Sequence, residues 1–137
     1  MNDGLVAHTI LESTSGYAQT IRSGHHSLTA DEPGSAGGTD TGPAPYALVL
    51  AGLGACTAIT LRMYAQRKGW ELGTIHVDLR LYKDGGGDAA RIERFIRFGG
   101  DATALSDEQR AKLLEIADKT PVTKTIRAGA PIETKLA

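Results

Sequence analysis

The sequence predicts an α+β fold in which antiparallel sheets pack around a long central helix and a second helix. Three observations carry that expectation. The uncharged run Tyr46–Leu61, YALVLAGLGACTAITL, is far longer than a strand and leads into a helix stop signal. TIHVDLRLY at 74–82 alternates with period two, and Ser106-Asp107-Glu108-Gln109 has the form of a capping box opening a second helix. Strands and helices in segregated runs belong to the α+β class. At 137 residues the chain is expected to be one domain, 1–137, with enough buried surface for a core without staples.

Taken in order, 5–11, 17–22 and 25–30 are short stretches separated by Ser15-Gly16 and Ser23-Gly24, which suggests a three-stranded meander. DEPGSAGGTDTGPAP, 31–45, holds no periodic apolar pattern. A loop of that length in a compact domain is usually functional, and wrapping a partner subunit would explain it. The long helix opens near Ala44 with Pro45 at its first position, where the missing N–H costs nothing. It closes with Arg67 and Lys68 at the negative end of the dipole, Gly69 in the left-handed conformation and Trp70 folding back. A helix apolar on every side is expected to be central, and Ala51, Gly52, Gly54, Ala55 and Ala58 leave room for another backbone to come close. Ile75, Val77, Leu79 and Leu81 mark one face of a half-buried strand, KDGGGD is a turn, and RIERFIRF at 91–98 completes a hairpin. Leu113, Leu114, Ile116 and Ala117 line the second helix, which Pro121 ends by forcing Thr120 out of the helical region. A last strand is expected at 130–136.

Composition narrows the function. Fifteen basic and 16 acidic residues leave a formal charge of −1, so no long-range field draws nucleic acid or an anionic membrane. One cysteine excludes an internal disulfide. MNDGLVAHTI has neither the basic nor the apolar region of a signal peptide, and the uncharged run is shorter than a membrane span. The expectation is a cytoplasmic protein.

The chemistry reduces to one thiol. His8, His25, His26 and His76 have no partners at ligand spacing, and in a strand His25 and His26 would point to opposite faces, so no metal is expected. Gly85-Gly86-Gly87 lies between strands instead of opening a helix, which makes it a turn and not a phosphate loop. No G-x-S-x-G is present. Cys56 is either an inert core residue or a nucleophile. It lies roughly three turns into the helix, beyond the reach of the dipole, and burial among Leu53, Ala55 and Ile59 disfavours a charged form. A nucleophilic role needs a cation from elsewhere in the fold, and Arg22 is the candidate.

PYALVLAGLGACTAITLRMYAQRKGW resembles the central helix of the OsmC/Ohr family, the osmotically inducible protein C and organic hydroperoxide resistance proteins. GGTDTGPAP resembles the loop before it, and RIERFIRFGG with LSDEQRAKLLEIADKTPV resembles the hairpin strand and second helix. The resemblance implies an intertwined homodimer with active sites at the subunit interface. It also implies reduction of organic or fatty hydroperoxides by a cysteine pair, recycled by a small or protein-bound dithiol and without a cofactor; for this chain the expected partners are a small hydrophobic hydroperoxide or ligand and an external thiol reductant. Cys56 falls at the reactive first cysteine.

The departures bear on activity. The second cysteine belongs where Thr120 stands, in Thr120-Pro121-Val122-Thr123, and Thr123 replaces a histidine. The acidic residue near the helix start falls at Tyr46 or Ala47, and the meander's arginine falls at Tyr17. With Leu53, the residues Tyr17, Tyr46, Thr120 and Thr123 are the implied pocket. A one-cysteine peroxidase follows, with a non-catalytic binding protein for a small hydrophobic ligand as the alternative.

Overall fold

A computed structural model describes residues 4–99 and 105–137; Gly100, the last residue of the RIERFIRFGG resemblance, lies outside them, as do the first three residues of the N-terminal segment. The fold is α+β. Three strands, β1 (Ile10–Glu12), β2 (Gln19–Ser23) and β3 (His26–Ala30), precede a single 3-10 turn at Gly34–Ala36 and the long helix α1 (Pro45–Lys68). The hairpin β4 (Thr74–Tyr82) and β5 (Arg91–Gly99) follows, then α2 (Asp107–Ala117) and α3 (Pro121–Ala128). Both sheets are antiparallel, ordered β1-β2-β3 and β4-β5. The chain divides into two compact units, Met1–Val49 and Leu50–Ala137.

In the first unit the expected meander forms, but its first strand covers only Ile10–Glu12 because 5–9 pair with nothing in regular structure. Gly24, at φ +60°, and His25 form the two-residue turn between β2 and β3, where glycine at the first central position suits the twist of a hairpin. His25 therefore sits in the turn and not in a strand. Its ring lies against His26 with centroids 4.1 Å apart, which corrects the expectation of opposite faces.

The 31–45 loop is ordered by one carboxylate. Asp31 is buried, and its oxygens accept from the hydroxyls of Thr39 (2.6 Å) and Thr41 (2.7 Å) and from the backbone N–H groups of Glu32, Thr39 and Thr41. These bonds, led by the Thr39 hydroxyl, hold the carboxyl well below the usual carboxylate range. Gly38 and Gly42 let the chain close around it: a Cβ at either would run into the backbone of Glu32 or Thr29.

In the second unit α1 ends as its sequence requires. The Trp70 N–H donates to Ala65 O (2.9 Å) and the Gly69 N–H to Gln66 O (3.3 Å), with Gly69 at φ +71° and the Trp70 ring edge-on to Tyr64. Leu61 and Ala65 join Leu72, Leu113 and Ala117 in the core, flanked by Ile75, Ile96 and Phe98 from the sheet. Ser106 and Gln109 form the capping box of α2 in both directions.

One expectation is made specific here and two are corrected. The all-round apolar α1 buries one line within the chain, Leu53, Thr57, Leu61 and Ala65, while Val49 (47 %), Ile59 (60 %) and Met63 (53 %) are exposed. Its length and composition would allow it to cross a membrane, yet the line it buries belongs to the core just described. The space beside Gly54 is taken by the Leu79 side chain and not by a second backbone. Pro121 not only keeps Thr120 extended (ψ 152°) but occupies the first turn of α3, and 129–137 contains neither helix nor strand.

Candidate functional site

β4 and β5 present their inward side chains in register: Ile75 opposite Phe98, Val77 opposite Ile96, Leu79 opposite Arg94, Leu81 opposite Ile92. Period two thus puts an arginine in the apolar row of β5, between Ile92 and Ile96. Its side chain is 12 % exposed. A guanidinium there must be hydrogen-bonded, and four partners meet it. Nη1 donates to the hydroxyls of Thr57 and Thr123, each at 2.9 Å; Nη2 donates to Ala117 O at 3.0 Å and to Asp118 Oδ1 at 3.4 Å. Burial pushes the Arg94 guanidinium below its ordinary value, opposed by the Asp118 carboxylate and by Cys56, while Arg127 adds to the lowering. An arginine stays charged through such a shift.

The polar cluster gathers three segments. Thr57, buried on α1, donates to Leu53 O at 2.7 Å and receives Arg94. Thr120, fully buried, caps α3 by accepting from the Thr123 N–H, and the two hydroxyls share a 2.6 Å hydrogen bond. Asp118, at the end of α2, also receives Arg127 of α3: Nη2 on Oδ1 at 3.1 Å and Nη1 on the backbone oxygen at 3.0 Å. Beside the cluster opens a cavity of about 490 Å³ whose walls include Leu53, Ile92, Arg94, Asp118, Thr123 and Arg127.

Cys56 is half-buried and stands one residue before Thr57, whose hydroxyl Arg94 holds. A cation other than Arg22 thus stands in the same unit as the thiol, on β5. The signal was there: RIERFIRF places Arg94 where alternation calls for an apolar residue.

Of the residues expected at the site, Leu53 and Thr123 line this cavity and Thr120 is buried against Thr123. Tyr17, Tyr46 and Arg22 belong to the first unit. Arg22 pairs with Glu12 across β1 and β2 at 3.1 Å, both side chains exposed. Tyr17 lines a separate cavity of about 530 Å³ with Leu11, Gln19, Asp31, Pro45 and Leu48. Tyr46 is exposed on the first turn of α1. Among the described residues no group of three His, Cys, Asp or Glu side chains is placed to hold a metal ion.

Comparison with solved structures finds the same fold at low identity. An OsmC-like protein from Mycoplasma pneumoniae superposes with a TM-score of 0.76 at 17 % identity, covering 90 % of this chain and 89 % of that one. An organic hydroperoxide resistance protein OsmC from Legionella pneumophila gives 0.66 at 19 % identity, over 90 % and 91 %. The organic hydroperoxide resistance protein OhrB of Bacillus subtilis gives 0.59 at 24 % identity, over 88 % and 89 %. No curated protein matches the sequence significantly. The sequence pattern of the OsmC-like protein family matches residues 38–135, a span that takes in the second half of the ordered loop, α1 with Cys56, the Arg94 strand and the Thr120 cap, and the chain belongs to that family.

Proposed function

We propose that this protein is a one-cysteine thiol peroxidase acting on small hydrophobic organic hydroperoxides through Cys56. The observation that carries the reading is the buried Arg94 guanidinium bonded to the hydroxyl of Thr57, the residue next to the half-buried thiol. A neighbouring cation favours the thiolate, which is the nucleophile. The thiolate attacks one peroxide oxygen, the O–O bond breaks, and the leaving alkoxide takes a proton to become an alcohol. Sulfur is oxidised to the sulfenic acid as the peroxide is reduced. Cys56 has no partner cysteine in the chain. An external thiol therefore condenses with the sulfenic acid, releasing water, and a second thiol equivalent releases Cys56 and leaves as a disulfide. The hydroperoxide resistance proteins that share the fold support the substrate class. A cytoplasmic location suits the reading, because that compartment keeps thiols reduced. A homodimer also suits it, since a second copy would cover the exposed face of α1.

The test is consumption of cumene hydroperoxide with dithiothreitol as reductant. Turnover that disappears in Cys56→Ser supports the proposal, and a wild-type rate equal to that of the serine variant rejects it. A second reading, a non-catalytic binding protein, is favoured by one observation: Cys56 is not among the residues lining the 490 Å³ cavity. Ligand binding there without turnover selects it.

A further inference from the structure

We propose that the cavity walled by Leu11, Tyr17, Glu32, Pro45 and Leu48 is a binding site for an apolar amine, with the ammonium group on the Glu32 carboxylate. The inference is independent of the peroxidase reading, because these residues belong to the first unit and Cys56 to the second. The first ground is charge. Asp31 and Glu32 are both in the lining, and no lysine, arginine or histidine is. Neither carboxylate forms an ion pair among the described residues. The wall therefore carries negative charge with no cation to balance it.

The second ground is what each carboxylate is free to accept. Asp31 is buried, and its oxygens are spent on the hydroxyls and N–H groups of its own loop. It supplies charge and no contact. Glu32 is half-buried, and only its backbone N–H is committed to Asp31. Its carboxylate accepts no hydrogen bond among the described residues. Both oxygens are left for the N–H groups of an ammonium, which donates in three directions and accepts nothing.

The third ground is the rest of the wall. The Tyr17 ring lies against Gly37, where a Cβ would stand 3.2 Å from ring Cε2, so the bare backbone at 37 makes room for the ring in the lining. An aromatic face attracts an ammonium within about 6 Å of its centroid. Leu11, Pro45 and Leu48 are apolar, and about 530 Å³ lies within the range of small-molecule sites. A hard metal ion does not fit: it takes about six oxygen ligands, and among the described residues no three His, Cys, Asp or Glu side chains are placed to hold one. One free carboxylate, one aromatic ring and an apolar wall match an organic ammonium on a hydrocarbon body.

The experiment is calorimetric titration of phenylethylamine, phenylethanol and phenylpropanoate into the wild-type chain, Glu32→Gln and Tyr17→Leu at neutral pH. The amine is expected to bind about tenfold tighter than the alcohol, as hydrogen bonds to a charged group provide, and the carboxylate more weakly than either. Glu32→Gln removes the preference for the amine while the alcohol still binds. Tyr17→Leu reduces the preference, through loss of the aromatic face. Equal affinities for amine and alcohol in the wild type, no amine binding, or a preference that survives Glu32→Gln overturns the proposal. So does phenylpropanoate binding as tightly as the amine, which reverses the assigned charge. Should Glu32→Gln fail to fold, a preference undiminished in Tyr17→Leu overturns it instead.

Discussion

Arg94 of β5 donates to the hydroxyl of Thr57, at 2.9 Å, in the middle of α1 and one residue past the only cysteine. That bond fixes a guanidinium against the helix at the level of the thiol. Replacing Arg94 with methionine removes the charge and the guanidinium bonds to Thr57, Thr123 and Ala117 O, at a cost of about 3 kcal/mol in stability. The variant's Cys56 is expected to alkylate more slowly with iodoacetamide at neutral pH, because a cation beside a thiol favours its reactive form. Arg22→Ala, which breaks only the exposed pair with Glu12, is expected to leave the rate unchanged. A slow Arg22→Ala beside a normal Arg94→Met assigns the activating role to Arg22.

Thr120 is a buried cap in the structure, and we propose that it occupies the position of the family's second cysteine. Thr120→Cys gives up the hydroxyl that accepts from the Thr123 N–H, a loss of about 1 kcal/mol. If the residue faces Cys56 as the resemblance implies, mild oxidation joins the two sulfurs and the variant gains dithiol-dependent turnover. Bonding requires Cα atoms roughly 4.4–6.8 Å apart. Mass spectrometry of the oxidised variant decides: a product still carrying two free thiols removes Thr120 from the second-cysteine position.

Asp31 makes the first unit acid-sensitive. Its carboxyl is held below the usual range chiefly by the Thr39 and Thr41 hydroxyls. A carboxyl whose folded-state value lies below the unfolded one stabilises fully above the unfolded value, and that contribution fades as pH falls through the folded one. Asp31→Asn is therefore expected to melt at a lower temperature than the wild type at pH 7, by a margin that narrows below about pH 4, the ordinary carboxylate value. A margin constant down to pH ~2, well below that value, contradicts the assignment.

Much of this architecture was legible because local rules wrote it. The alternation of Ile75 to Leu81, the Gly69-Trp70 stop and the Ser106 box depend on neighbours in sequence, and each forms as read. What escaped depended on partners far away. Asp31 orders its loop through hydroxyls and amides up to ten residues distant, which leaves no apolar period to detect. Pro121 ends one helix and starts another, and only the Thr120 cap tells the two roles apart. Arg94 escaped because an arginine in a strand is normally taken as exposed. Applying the period face by face would have exposed the anomaly, since Ile92, Ile96 and Phe98 share its side. Its partners on α1, α2 and α3 lie 23 to 37 residues away.

The exposed line of α1 predicts the assembly. Ile59 and Met63 project from the side opposite the core line of Leu53, Thr57, Leu61 and Ala65, with Gly52 and Ala55 offering little relief beside them. An apolar helix face of this length is typical of obligate interfaces, which bury roughly 2,000–5,000 Å² and resemble a divided core. Ile59→Asp tests it cleanly. In a lone chain the residue is 60 % exposed, and surface substitutions of that kind stay within about 0.5 kcal/mol. In a homodimer the same change buries a carboxylate against an apolar partner, which costs far more. Light scattering is expected to give a dimer mass for the wild type at micromolar concentration and a monomer mass for Ile59→Asp. A wild-type monomer, or a variant that remains dimeric, shows that α1 does not form the interface.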